Sequence, residues 1–210
     1  MARTAVTVRK PRRPYHHGNL QRGLLDEALA MIRAEGVDRL TLREIGSRLG
    51  VSRTALYRHF ADKRALLAAV ATEGFRTLRQ HLVAEWADGG RNRVAFEAMG
   101  TAYVRFAIGN SSHYRVMFGG SIDPKVCGPE LAAEAAGAFQ ALVDALSSLQ
   151  RAGVVRADDT LTMARYVWAV VHGVAMLAIN GQLPDPASVD TLTRYMSGRL
   201  LTGIEVRPVE

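Results

Sequence analysis

Residues 41–63 read TLREIGSRLGVSRTALYRHFADK and carry the signals for two short helices joined by a tight turn. Thr41 and Glu44 have the spacing of a capping box, in which hydroxyl and carboxylate each accept a backbone N–H. Gly50 suits the left-handed position that ends this first helix, and Ser52 is placed to cap the second. Gly46 lies where the two backbones must approach each other. With apolar residues at the inward-facing offsets, the pattern predicts a helix-turn-helix: Ile45, Leu49, Val51 and Leu56.

The second helix of this pair leaves hydrogen-bond donors on its outer side, with no carboxylate among them. Such a surface suits a major groove, where base edges present acceptors and phosphates flank the site. A surface helix pair with solvated charges is the alternative interpretation. The DNA contacts predicted in and around the turn are Thr41, Arg43, Ser52, Arg53, Thr54, Tyr57, Arg58, His59 and Lys63.

The distribution of charge supports a nucleic-acid partner. The formal net charge of the chain is +7 at pH 7. Residues 1–65 hold 14 Lys/Arg and 6 Asp/Glu, whereas residues 66–210 hold 13 and 14. The whole positive excess therefore lies in the segment that contains the helix-turn-helix. A phosphate backbone explains this asymmetry, and general solubility does not.

Residues 1–14 are basic, contain two prolines and show no periodicity, so we expect a flexible arm. Such an arm either follows the minor groove beside the recognition helix or remains a solvated tail. His16 and His17 are adjacent but lack a third ligand nearby, which favours phosphate or solvent over metal. The further DNA contacts predicted in this region are Lys10, Arg12, Arg13, Tyr15 and His16.

Helical periodicity continues through the rest of the chain, and no segment alternates as a strand does. We therefore predict an all-α protein with about nine helices. Residues 15–65 form a three-helix DNA-binding domain, and residues 66–210 form a larger domain for effector binding and dimerisation. Asp62 caps a long helix that runs to about Trp86, and this helix joins the two domains.

The sequence also resembles a known family in its first third. Residues 56–60 (LYRHF), 62–63 (DK) and 66–67 (LL) resemble the end of the DNA-binding domain of TetR-family repressors. The resemblance extends upstream through residues 15–20 (YHHGNL), 35–36 (EG) and 41–45 (TLREI). Trp168, His172 and Gly173 resemble a Trp-His-Gly pattern in one branch of that family. The resemblance implies a dimeric, ligand-responsive regulator in which Tyr57 contacts phosphate rather than a base.

The helix at residues 163–179 is apolar on every side, and such a helix must be covered on both sides. One subunit supplies a single core, so a second subunit is the simplest additional cover. The final helix, residues 186–202, is expected to join it in a four-helix interface, as the family resemblance also implies. The predicted homodimer contacts are Tyr166, Val170, Gly173, Val174, Leu177, Leu192, Tyr195 and Met196.

Aromatic and methionine side chains cluster on the inward faces of the C-terminal helices. Such residues form either a filled core or the lining of an apolar cavity. The resemblance to ligand-responsive regulators favours a cavity for an apolar or aromatic effector. His172 is either a polar group of that cavity or a satisfied core histidine. The predicted effector contacts are Tyr103, Phe106, Tyr114, Met117, Phe118, Phe139, Trp168, His172 and Met176.

These features predict a dimeric repressor that an effector releases from an inverted-repeat operator in double-stranded DNA. A constitutive or architectural DNA-binding protein is the alternative, and an α-helical enzyme is a remote one because no catalytic motif is present. The single cysteine, Cys127, excludes an internal disulfide and a Cys-based metal site. We expect a cytoplasmic protein with no metal, no cofactor, no signal peptide and no membrane association.

Overall fold

The computed structural model describes residues 20–183 and 185–204. The predicted arm, with Lys10, Arg12 and Arg13, and the predicted contacts Tyr15 and His16 lie outside the described residues. Within them the chain is all-α and contains no strand, which confirms the predicted fold class. The nine helices of the described residues are α1 (Leu20–Glu35), α2 (Leu42–Leu49), α3 (Arg53–His59), α4 (Lys63–Asp88), α5 (Arg93–Gly109), α6 (Ser111–Phe118), α7 (Pro129–Arg151), α8 (Thr160–Ile179) and α9 (Pro186–Ile204).

The two hydroxyl caps of the helix-turn-helix form as the sequence predicts, whereas the Glu44 carboxylate bonds to Arg48 and not to the backbone. The Thr41 hydroxyl accepts the backbone N–H of Glu44 at 3.2 Å, and the Ser52 hydroxyl accepts that of Ala55 at 3.2 Å. Gly50 ends α2 with a φ of +68°, in the left-handed region that favours glycine. The Glu44 carboxylate accepts from Arg48 Nε at 3.0 Å. Local hydrogen bonding therefore fixes both the end of α2 and the start of α3.

Close packing of α2 against α3 depends on Gly46. A Cβ atom at this position would lie 3.0 Å from Cδ1 of Leu56, tighter than most side-chain contacts. Leu24 and Ile32 of α1 are buried beneath the pair together with Leu56. The three helices thus share one core, in which α3 buries Leu56 and leaves its other face free.

Helix α4 runs from the helix-turn-helix into the C-terminal domain. Its 26 residues span about 39 Å, and the Asp62 carboxylate caps it by accepting the N–H of Ala65 at 2.7 Å. It packs against α5, α6 and α7. The two domains also touch through α1 and α6, where Ser112 Oγ donates to the carbonyl of Leu29 at 3.1 Å. The long helix is therefore supported by a second, non-covalent connection.

Helix α8 packs against α5, α7 and α9. Within the described residues it is the one helix long and apolar enough to span a membrane by length and composition, and one third of its apolar window is buried inside the subunit. The Asp159 carboxylate caps it by accepting the N–H of Thr162 at 2.7 Å. It thus combines a side that faces the other helices of the domain with a side that a single subunit leaves uncovered.

Candidate DNA interface and effector cavity

The outer face of α3 is exposed, as the sequence predicts. Arg53, Thr54, Tyr57, Arg58 and His59 all lie on the surface. The Arg53 guanidinium lies over the Tyr57 ring, 5.5 Å from its centroid. Cation–π contact of this kind restrains a long side chain near the helix axis. The first turn of α3 therefore presents an exposed guanidinium that rests on the Tyr57 ring.

The basic residues around α3 differ in whether their charged groups already have partners within the subunit. Arg48 forms ion pairs with Glu27, Glu35 and Glu44, so its charge serves the domain itself. Lys63 donates to the carbonyl of Asp38 at 3.2 Å, which holds its ammonium beside the loop between α1 and α2.

The remaining predicted DNA contacts lie around the turn. Arg43 is exposed on α2. Thr41 and Ser52 use their oxygens as cap acceptors, and each keeps a hydroxyl hydrogen for an outside acceptor.

A cavity of about 430 Å³ lies in the C-terminal domain. It is bounded by α4, α5, α6, α7, α8 and α9 and by the loop before α7. This volume is in the range of small-molecule sites, roughly 300–1,000 Å³. Five of the predicted effector contacts line it: Tyr103, Met117, Phe118, Phe139 and Trp168.

Four predicted effector contacts do not line the cavity. Phe106 packs edge-on against His81 of α4, with ring centroids 6.0 Å apart. Tyr114 and His172 lie behind Tyr103, where they bond to its hydroxyl. Met176 is partly buried elsewhere on α8.

Helical periodicity misses the contributions of α4 and α9 to the cavity. Met196 was predicted at the dimer contact, but it lines the cavity because its part of α9 faces α5 and α8. The lining residues that sequence reasoning missed include Phe75, Leu78 and Leu82 of α4, Glu97 of α5, and Ser197, Leu200 and Leu201 of α9.

A chain of hydrogen bonds runs behind one wall of the cavity. Trp168 Nε1 donates to the Tyr103 hydroxyl at 3.1 Å, and the hydroxyls of Tyr103 and Tyr114 are 2.9 Å apart. The Tyr114 hydroxyl lies 2.7 Å from Nδ1 of His172. An indole N–H can only donate, so the Tyr103 oxygen accepts from Trp168. In the simplest assignment the Tyr103 hydroxyl then donates to Tyr114, and the Tyr114 hydroxyl donates to Nδ1 of neutral His172. Trp168 Nε1, the two tyrosine hydroxyls and His172 Nδ1 then each have a partner within the chain of hydrogen bonds.

Burial keeps this chain neutral. It raises the pKa of Tyr103 to about 12 and raises the pKa of Tyr114 as well. It lowers the pKa of His172 below the ordinary value of 6.5, because the charged ring would lose its hydration. The imidazole is therefore neutral near pH 7, as the acceptor role of Nδ1 requires.

We expect the subunit to lose stability as the pH falls from about 7.5 to about 5.5. The folded pKa of His172 lies below its unfolded value, so the unfolded chain binds more protons in this window and is stabilised relative to the folded state. Burial lowers the pKa of His113 too, which adds an effect of the same sign. Urea unfolding at several pH values measures the trend. His172→Gln should flatten it in part, whereas His59→Gln, on the exposed face of α3, should not. A free energy of unfolding that rises on acidification contradicts the prediction.

The predicted dimer residues divide into an outer and an inner group. Tyr166, Leu177 and Tyr195 are 51%, 38% and 63% exposed, and Val170, Gly173 and Leu192 are half-buried. Val174 is only 7% exposed, so the structure places it, like Met196, inside the subunit. A Cβ added at Gly173 would meet no atom of the subunit within 4 Å. The outer sides of α8 and α9 thus leave large apolar groups open.

Metal binding has no candidate among the described residues, where no group of three His, Cys, Asp or Glu is close enough to hold an ion. Cys127 is half-buried, and its Sγ accepts from Arg64 Nε at 3.4 Å.

Comparison with known proteins identifies both domains. Residues 24–70 match the family described as bacterial regulatory proteins, tetR family. Residues 96–200, half of the chain, match the tetracyclin repressor-like C-terminal domain. The chain belongs to the TetR family. It is therefore a transcriptional regulator with an N-terminal DNA-binding domain, and regulators of this family are in general not enzymes.

Individual relatives agree with this assignment over different lengths. A tetracycline repressor of class A from Escherichia coli transposon 1721 is 38% identical over 88 residues, 42% of this chain and 35% of that protein. The match thus spans about a third of that TetR-family relative.

Two further relatives match over most of the chain. An uncharacterised HTH-type transcriptional regulator of Mycobacterium bovis is 26% identical over 179 residues. The match covers 84% of this chain and 92% of that regulator. A solved structure from Rhodococcus sp. RHA1, of unknown function, is 31% identical with a TM-score of 0.80. It covers 93% of this chain and 100% of that one.

Proposed function

We propose that this TetR-family regulator is a homodimeric repressor, which a small apolar effector releases from an inverted-repeat operator. The observation that carries the proposal is the apolar cavity of about 430 Å³, one wall of which is α4, the helix that leads from the helix-turn-helix into the C-terminal domain. A ligand in this cavity touches Phe75, Leu78 and Leu82 of α4 directly. The constitutive DNA binder is less well supported, because a filled core would leave no such space.

In the proposed complex α3 enters the major groove. Recognition helices contact base edges with their N-terminal residues, which assigns base contacts to Arg53 and Thr54. His59, at the C-terminal end of α3, is proposed as a further DNA contact. Tyr57, Thr41 and Lys63 are proposed to contact phosphates, with Arg43, Ser52 and Arg58 beside them. Phosphate contacts give affinity and register, whereas base contacts give sequence preference.

The outer sides of α8 and α9 are proposed to form the dimer interface. Two such helices from each subunit bury the exposed aromatic and leucine side chains, and the open surface at Gly173 permits close helix approach. A two-fold dimer presents its recognition helices to half-sites about 34–36 Å apart, or a multiple of that distance. Protein symmetry then requires an inverted-repeat operator.

The proposed switch is a shift between two populations that differ in the spacing of the recognition helices. The effector favours the spacing that does not fit the operator. Moving the balance from 1:99 to 99:1 requires a preference of about 5.5 kcal/mol for one state. Linkage makes the effect reciprocal, so saturating operator weakens effector binding by the same factor.

Selection of duplexes from random DNA tests the DNA-binding half of the proposal, and an enriched inverted repeat is expected. Compounds are then screened by Trp168 fluorescence in a Trp86→Phe background, since Trp168 lines the cavity. An effector must bind more weakly in the presence of operator. If the selection enriches no motif, the DNA-binding half of the proposal is contradicted. If ligands bind equally well with and without operator, the effector half is contradicted.

Arg53→Ala is expected to relax base preference at one position of each half-site and to cost about 1–3 kcal/mol per contact. Loss of a bidentate contact to guanine removes discrimination as well as affinity. Selection with the variant and titration of single-base operator variants measure both.

Two companion variants make the Arg53 measurement specific. Arg53→Lys keeps the positive charge but lacks the paired N–H donors of a guanidinium. It should lose discrimination between bases and retain most of the salt dependence of DNA binding. Arg105→Ala, an exposed arginine on α5, should behave as wild type. If Arg53→Ala weakens all sequences equally, Arg53 contacts phosphate instead.

A further inference from the structure

We propose that the effector is a neutral, mostly apolar molecule with one hydroxyl or carbonyl oxygen, and that this oxygen binds the Ser197 hydroxyl. The inference rests on the proposed role of the cavity as the effector site. It assigns to that site a single polar contact, on the wall formed by α5 and α9.

Ser197 is an unpaired hydroxyl in an apolar lining. The residue is 9% exposed, and its Oγ has no hydrogen-bond partner among the described residues. Thr193, one turn earlier on α9, bonds instead to the carbonyl of Val189 at 2.7 Å, which is the usual solution for a helical hydroxyl. A buried hydroxyl without a partner is destabilising, and a ligand oxygen at this point would remove the penalty.

Gly100 leaves space beside this hydroxyl. A Cβ atom at Gly100 would lie 3.4 Å from Ser197 Oγ and 3.8 Å from Cγ1 of Val171. Glycine in the middle of α5 costs helix stability relative to alanine, so its presence here carries a cost to the fold. The open space places a ligand atom within reach of the hydroxyl.

The other polar groups of the lining do not offer an equivalent contact. The Tyr103 hydroxyl already accepts from Trp168 and bonds to Tyr114. Glu97 is the charged residue among the described lining residues, and its carboxylate is paired with Arg93 Nε at 3.3 Å. A ligand carboxylate would lose its hydration beside apolar groups without gaining a cation from the lining. These observations favour a neutral oxygen over an acid.

Three probes of one shape separate these possibilities: 4-phenylphenol, 4-methylbiphenyl and biphenyl-4-carboxylate. Titration calorimetry on the full chain gives the affinity of each. We expect 4-phenylphenol to bind roughly 2- to 10-fold more tightly than 4-methylbiphenyl, the range for one neutral hydrogen bond. The carboxylate should bind most weakly of the three.

Ser197→Ala should remove the preference for the phenol and leave the affinity for 4-methylbiphenyl unchanged or slightly higher. Alanine is the better helix former, so the variant is expected to fold. Thr193→Val is the matched control, because it deletes a hydroxyl of the same helix that already has a partner, and it should keep the preference.

Equal binding of phenol and methyl probes overturns the inference, as does a preference that survives Ser197→Ala or a tighter carboxylate. If none of the three probes shows saturable binding, the effector site itself is contradicted, and with it the proposed function.

Discussion

Leu177→Asp is expected to convert the protein to a monomer and to weaken binding to the full operator by about 100-fold or more. Leu177 lies on the outer side of α8 with Tyr166, and the proposed interface would bury the new carboxylate without a partner. Two linked DNA-binding domains gain about 10²–10⁴ in avidity over one, and a monomer loses that gain. Sedimentation and operator titration measure the two effects separately.

The exposure of other valines in the subunit decides which of them can serve as a control for Leu177→Asp. Val83→Asp places the same charge on an exposed position of α4 and should leave both the dimer and the operator affinity intact. Val174→Asp is unsuitable, because Val174 is 7% exposed and a charge there would disrupt the subunit itself. Affinity for an isolated half-site should be unchanged in Leu177→Asp. A wild-type monomer at micromolar concentration, or a dimeric Leu177→Asp, would exclude the proposed interface.

The parts of the fold predicted correctly from sequence are those determined by local chemistry. Thr41, Ser52 and Asp62 each cap the helix that their position in the sequence indicates. Gly50 takes the left-handed conformation that a helix end needs. These interactions span three or four residues, so the sequence contains both partners, and the helix boundaries follow to within a few residues.

The candidate site was less predictable because it depends on which helices become neighbours. Periodicity identifies the apolar stripe of α5, but it does not show that Tyr103 faces the cavity while Phe106 faces His81 of α4. Periodicity likewise placed His172 of α8 in the cavity lining, yet it lies behind Tyr114 as a hydrogen-bond acceptor. Contacts of this kind join residues far apart in sequence, and no local signal records them.

Helix α9 is a second case in which periodicity alone did not show what each face of a helix contacts. Adjacent residues on a helix point about 100° apart, so an apolar run presents two faces. Tyr195 is exposed, whereas Met196 and Ser197 line the cavity. The sequence predicted that α9 contacts a second subunit. Its packing against α5 and α8 shows that α9 also lines the cavity of the C-terminal domain.

Gly100→Leu is expected to produce a regulator that binds its operator normally and no longer responds to effector. The new side chain starts 3.4 Å from Ser197 Oγ and 3.8 Å from Val171 Cγ1, and it extends into the cavity. It takes the space of the ligand, so affinity for 4-phenylphenol should fall about 100-fold or more, a loss of roughly 2.7 kcal/mol or more. Replacing a helical glycine gains about 0.5–1 kcal/mol, which offsets part of any overpacking cost.

The matched control is Gly109→Leu at the end of the same helix, where an added Cβ would meet nothing within 4 Å. This variant should bind both the probe and the operator as wild type does. Urea unfolding of both variants establishes that the fold is intact, and operator titration with and without the probe measures the response. If Gly100→Leu is folded, keeps its operator affinity and is still released by the probe, then release does not depend on occupation of this cavity. The proposed coupling through α4 would then have to be abandoned, whereas loss of response in Gly100→Leu alone locates the switch at the α5–α9 wall.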